Sequence, residues 1–387
     1  MPNPGLTARR RLGARMAVAF AILAISSYAA VARYAEVIAA GGNDHQTADW
    51  LISYPGAFVR RGLFGELLLG ITPPGPAALW VLFGIQVLLY APLFGYFIDY
   101  LFRSRFSWSA IALACSPAAL PFIGWDPLGG FRKEILGFLA LVLLAVARRR
   151  MSRWLRGGLL AASVAAWTLG VFSWESLAFL LPGIGFLLFA DDVLPLRRTL
   201  AATYTGIAAV AFGASVVAHG DPGTPVRLCQ AVTDHGLGAN LCTGAIAWMG
   251  RGLDDSLRAV QQNLDVHSGY LLMFALAVLP IVVSPWLRRY WGWAVFALVG
   301  IAPLFVLGID YGRWIHILVI ELAICMIAGN LALIESKLWN PLSAILFVSV
   351  WGIPHAAPTP PNVVGWPFKG LASTLITWMQ SALLRLS

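Results

Sequence analysis

Charge is scarce in this chain. Asp, Glu, Lys and Arg make up 12% of its 387 residues, against 59% hydrophobic side chains and a mean hydropathy of +0.76. Soluble globular domains carry roughly twice that share of charge, so a water-soluble globule is excluded. No G-x-x-x-x-G-K-[ST] loop occurs, which argues against a P-loop nucleotide hydrolase. There is no C-x-x-C or H-E-x-x-H, and the six histidines lack ligand spacing. A divalent ion among outward histidines is therefore unsupported, and no cofactor is expected. No internal repeat is visible. No small-residue cleavage site follows the basic N-terminus, so the first apolar run is expected to stay as a span.

Cysteine is also sparse. Of four, Cys115 and Cys325 lie in apolar runs and read as packing. Cys229 and Cys242 share a polar loop and would pair if that loop faces an oxidising compartment. The net charge of +9 does not point to nucleic acid, because the basic residues fall in short clusters between apolar runs. Sixteen Trp and 21 Phe suit aromatic belts at two membrane interfaces. The class is an all-α, polytopic transmembrane helical bundle, one integral membrane domain over 1–387.

A span needs roughly 20 apolar residues. Expected spans begin with Met16 to Ala40, Ala77 to Phe102, Trp108 to Phe122 (short, kinked by Pro117 and Pro121) and Ile135 to Ala147. Leu159 to Phe172, Leu177 to Ala190, Leu200 to Ala218 and Tyr270 to Trp286 follow, then Trp291 to Leu307, Ile315 to Leu333 and Leu342 to Ile353. A proline-rich tail from Pro354 leads into a helix from Lys369 to Leu386 that spans or lies flat, giving about eleven or twelve helices. With this threading, sixteen of the 27 Lys and Arg fall on one side. They are Arg9, Arg10, Arg11 and Arg15; Arg103 and Arg105; Arg148, Arg149, Arg150, Arg153 and Arg156; Arg197, Arg198, Arg288 and Arg289; and Lys337. Asp191 and Asp192 share that side. Short connections are where the positive-inside bias operates, so this side and the N-terminus are cytoplasmic, as in a bacterial inner (plasma) membrane.

The outward connections hold charge at span ends. The first, 41–76, contains DHQTADWLISYPGAFVRRGLFGE from Asp44 to Glu66, broken at Tyr54-Pro55-Gly56. Its flanking pieces are amphipathic and suit helices lying on a membrane surface. It carries Asp44, Asp49, Arg60 and Arg61. The others carry Asp126, Arg132, Lys133 and Glu134; Glu175; and Asp310, Arg313 and His316, the last three at steps of three along one helix face. The longest, 219–268, is either a disulfide-pinned cap or an inert connector. Each charge alone has a plain explanation as a helix cap, interfacial Arg or local ion pair. Four charged connections on one side instead predict a functional cavity on the outer face.

Arginine forks grip phosphate oxygens and stabilise a leaving phosphate, and a carboxylate beside them is able to take an acceptor hydroxyl proton. In overall topology and first outer loop the chain resembles GT-C-type membrane glycosyltransferases and the related lipid-linked polysaccharide polymerases. That resemblance implies an acidic catalytic residue in the first outer loop, a position held by Asp44, with Asp49 as the alternative. FVRRG at Phe58 to Gly62, FRKE at Phe131 to Glu134 and DYGRW at Asp310 to Trp314 have the look of signatures, though the large C-terminal soluble domain of many such transferases is lacking. The expected activity is transfer of sugar from a polyprenyl-phosphate-linked donor to a glycan or lipid acceptor. Arg60, Arg61, Arg132, Lys133 and Arg313 would hold phosphate, while Asp310 and Glu175 orient sugar or those arginines. The rival readings are a transporter or flippase of a lipid-linked or anionic solute, and an assembly scaffold. Within spans Glu321, Arg33 and Glu36 offer charge for transport.

Overall fold

In a computed structural model the described residues are 4–126, 128–191, 194, 196–218, 221–264, 269–356, 368–373, 376 and 379–380. Asp192, His219, Ser268 and most of the expected 369–386 helix lie outside them. The described chain is all-helical. Six helices are long and apolar enough to cross a membrane. They are α1 (Pro4–Ala39, its span from Arg11), α3 (Ala77–Arg103), α7 (Arg153–Ser173), α9 (Arg197–Val217), α13 (Pro285–Leu307) and α14 (Tyr311–Ala328). Shorter apolar helices complete the bundle: α6 (Glu134–Ala147), α8 (Leu181–Phe189, led by a 3-10 turn from Glu175), α12 (Gly269–Val282) and α15 (Pro341–Val350). The chain is a multi-pass membrane protein.

Two ends are defined by what meets there. At one, Arg148 bonds Asp191, Arg149 bonds Asp99, and Ser107 donates to Glu335. At the other, Trp50 meets Phe131, Arg61 meets Glu175, and Arg313 meets Glu134. The helices run between these ends, and Arg15, Arg103, Arg148 and Arg149 of the basic clusters lie at the first. The expected kinked span Trp108 to Phe122 is more broken than the sequence suggests. Helix α4 (Trp108–Ala114) stops on Cys115, and α5 (Phe122–Trp125) restarts after Pro121. Proline has no N–H to donate and restrains its predecessor, so the chain crosses this stretch as turns buried by neighbours. Helix α14 is the central post, with nearly every residue from Gly312 to Ile327 buried.

The first loop, 41–76, contains two helical pieces, a 3-10 turn at Ala48–Leu51, which is wholly buried rather than laid on a surface, and α2 (Leu63–Ile71). They cross at Gly65, where a Cβ would come within 2.0 Å of the Ile52 carbonyl oxygen. Gly65→Val cannot seat α2 against this turn without moving backbone. The expected cost is about 2–4 kcal/mol, read as a lowered thermal midpoint of the detergent-solubilised protein by tryptophan fluorescence. An unchanged midpoint would show that the crossing is not tight.

Candidate functional site

The first loop is shaped at its start by two left-handed glycines, Gly41 and Gly42, which turn the chain back off α1. Asn43 and Thr47 then exchange hydrogen bonds of 2.9 and 3.1 Å. The 3-10 turn that follows buries Trp50 completely, and its Nε1 donates to the Phe131 carbonyl at 2.8 Å. That anchor fixes Asp49, one residue earlier, in the buried interior at the end opposite the arginine clusters.

The second segment is the turn 126–134. Asp126 Oδ1 accepts the N–H groups of Leu128 and Gly129 at 3.1 Å, while Oδ2 accepts the His355 N–H at 2.5 Å and meets its Nδ1 at 2.6 Å. Phe131 is held in left-handed backbone (φ 53°), a strained state for an aromatic residue. Buried partners enforce it: its N–H donates to the Tyr90 hydroxyl, and its carbonyl accepts Trp50 Nε1 and Gln86 Nε2. The next three side chains therefore leave in three directions. Arg132 Nε donates to the Leu128 carbonyl at 3.1 Å. Lys133 Nζ donates to the Arg61 carbonyl at 3.0 Å and lies 3.6 Å from Asp49 Oδ1. Glu134 accepts Arg313 through a bidentate fork of 2.9 and 2.7 Å.

Arg61 also sits in left-handed backbone, at φ 69°. Its Nε and Nη2 grip Glu175 at 3.0–3.2 Å. Arg313 also reaches Asp310 at 3.2 Å and lies 4.5 Å over the ring of Trp174. Segments of the sequence more than 250 residues apart, from Asp49 to Arg313, thus form one network, buried at Asp49, Lys133, Glu134 and Arg313 and partly exposed at Arg61 and Asp310.

The charges do not cancel. Arg60, Arg61, Arg132, Lys133 and Arg313 face Asp49, Glu134, Glu175 and Asp310, five cations against four carboxylates. Three cations are paired within 4 Å, but among the described residues Arg60 and Arg132 have no carboxylate that close. Burial, followed by the like charge of Arg313, holds the Arg132 guanidinium below its ordinary pKa; burial and Arg61 do the same to Arg60. Burial alone would raise the Asp49 carboxyl. The fields of Lys133, Arg61, Arg132 and Arg313 overcome it, so Asp49 stays ionised below the usual carboxylate range. No hydrogen bond shorter than the Lys133 contact reaches the Asp49 side chain from the described residues, leaving a carboxylate with open lone pairs.

Not every expected residue joins the network. Asp44 stands apart, half-exposed, with its carboxylate on His45 and on the Thr243 hydroxyl, and its carbonyl on the Ala245 N–H. The chain reversal at Gly41-Gly42 points it at the 221–262 segment, so the acid at the centre is Asp49. His316 lies one turn deeper than Arg313, stacked on Phe122 at 4.2 Å and hydrogen-bonded to the Ala118 carbonyl. Its environment is an apolar wall. Arg60 Nη2 donates to the Trp248 carbonyl at 3.4 Å, and Cys229 and Cys242 form a disulfide. The segment 221–262 is therefore docked on the first loop at Asp44 and Arg60. Sequence reasoning missed Trp174 and His355; Trp174 adjoins Glu175, but nothing local marks His355 as the partner of Asp126. No group of three or more metal-ligand side chains occurs among the described residues.

No family model matches the chain, and neither a curated protein nor a solved structure matches it.

Burial pushes the Lys133 ammonium down to about 8 despite the attraction of Asp49. Between about pH 8 and the unfolded value of about 10.4, the unfolded chain holds a proton that the folded chain has released. Stability contributed by this group therefore rises with pH across that window and is flat below it. The thermal midpoint of the unaltered protein should gain from pH 8 to 10 relative to Lys133→Met, measured in parallel. Equal slopes would place the lysine in water.

Proposed function

We propose that the protein is a glycosyltransferase of the bacterial inner (plasma) membrane. It would use a polyprenyl-phosphate-linked sugar on the periplasmic face in cell-envelope glycan synthesis, on the general plan of the GT-C enzymes and lipid-linked polysaccharide polymerases. The observation that carries this reading is the cation excess: among the described residues Arg60 and Arg132 have no carboxylate within 4 Å, beside Asp49, an ionised acid with open lone pairs. A cation excess held out of water favours an anion such as a phosphate. The arginine clusters at the far end support a periplasmic placement through the positive-inside bias.

In the proposed reaction Asp49 removes the proton of the acceptor hydroxyl as its oxygen bonds to the anomeric carbon. The bond from that carbon to the phosphate oxygen breaks, and the phosphate leaves with the electron pair. Arg132 and Arg60 stabilise the charge that develops on it. Arg61, Lys133 and Arg313 already satisfy carboxylates, so they hold the site rather than the ligand. Transport of the same lipid-linked anion is the second reading, and Glu321 favours it. That carboxyl is buried within α14 with Oε1 on the Gly183 N–H and Oε2 unpartnered.

Purified protein incubated with a short-chain polyprenyl diphosphate sugar and a glycan acceptor distinguishes them. Asp49→Asn should lower kcat by about 10²–10⁴-fold, the range of a general base, while Asp44→Asn stays near the unaltered rate. Full activity of Asp49→Asn would remove the assigned base. Movement of the lipid across proteoliposomes without a new glycosidic bond would favour transport.

A further inference from the structure

We propose that a cleft beside the charge network, between the last turns of α1 and the Asp126–Gly130 turn, is a saccharide subsite that seats the acceptor's hydroxylated head. The cleft has a volume of about 530 Å³, within the ~300–1,000 Å³ usual for small-ligand sites. Its free polar groups are Arg33 and Glu36, three residues apart on one side of α1. Both are exposed, and neither has an ion pair among the described residues. Two oppositely charged groups at the outer end of a span, each without a partner, are poorly explained as structural pairing.

The charge of the lining decides which chemistry fits. Arg33 stands against Glu36 and Asp126, one cation against two carboxylates, so the cleft is the reverse of the neighbouring network and disfavours a phosphate dianion. Hydroxyl groups, which donate to Glu36 and accept from Arg33, match it. Two wall residues are held by hydrogen bonds. Gln46 lines the cleft and donates Nε2 to the Gly130 carbonyl at 2.7 Å. Asp126, also in the lining, has both oxygens engaged by Leu128, Gly129 and His355. The cleft shares a wall with the anion site, because Leu128 lines it and accepts Arg132 Nε through its carbonyl. A sugar hydroxyl seated here lies next to the segment that carries Arg132 and Lys133. Calling the occupant an acceptor rests on the transfer reading above; the charge and walls of the cleft do not.

The test labels the purified full-length protein with diazirine-bearing octyl glucoside, galactoside and N-acetylglucosaminide, then maps the modified peptides. The expected result is labelling within 33–46 or 126–130 by at least one glycoside, displaced by the free sugar and not by inorganic phosphate. The Arg33→Gln, Glu36→Gln double variant should lose about tenfold of it, as expected for lost hydrogen bonds to charged groups. Ala40→Trp, which fills the cleft and leaves both charges in place, should lose it as well. Asp49→Asn should keep the label while losing transfer. Labelling elsewhere, labelling undiminished in both cleft variants, or displacement by phosphate alone would overturn the subsite. Cleft labelling in a protein that forms no glycosidic bond with any donor would leave the subsite standing and remove the transferase reading.

Discussion

The structure depends on pairing ionised groups that are largely buried. Helix α6 has 14 residues, about 21 Å at 1.5 Å per residue, against a hydrocarbon core of about 30 Å. Arg148 at its first end and Lys133 and Glu134 at the other are all buried within the protein. A buried ion is costly without a partner. Glu134 therefore takes Arg313, Lys133 takes Asp49, and Glu175 takes Arg61. Each pair joins segments that are distant in sequence, so the pairs also set how α2, α6, α8 and α14 meet. Fold and site are one object here. Removing a paired partner strands a buried charge, at a cost of about 3–5 kcal/mol, and so perturbs folding and function together. Arg60 and Arg132, which have no carboxylate within 4 Å among the described residues, are where the two effects separate most cleanly.

Much of this architecture was legible because it follows from simple periods. Apolar runs near 20 residues marked the long helices, and the arginine clusters sorted their ends. The pairing of Cys229 with Cys242 was readable from their shared polar setting. What escaped was whatever depends on where a loop turns. Asp44 and Asp49 are five residues apart, and the sequence favours Asp44 with Asp49 as the alternative. Two left-handed glycines before Asn43 and a fully buried Trp50 decide between them, through contacts with Phe131 that no local pattern encodes. Likewise the step of three from Asp310 to Arg313 gives a real contact of 3.2 Å. The next step carries His316 out of the polar zone and onto Phe122. Face periodicity places residues on a side of a helix; depth decides what they meet.

The two left-handed non-glycine residues of the network carry a related lesson. Arg61 and Phe131 each accept unfavourable backbone where their neighbours leave little choice. Phe131 is tied at both its N–H and its carbonyl, and the Arg61 carbonyl is tied to Lys133 Nζ. Such strain persists only where the surroundings over-determine it, and it gathers where side chains must be aimed. Straightening Phe131 would swing Arg132, Lys133 and Glu134 together, and with them three of the network's connections. The strain is thus the means by which consecutive residues of one short turn serve a cation with no carboxylate within 4 Å among the described residues, a buried lysine and a salt bridge at once. Because that turn also walls the cleft beside α1, whatever binds on one side meets a surface already held fixed from the other.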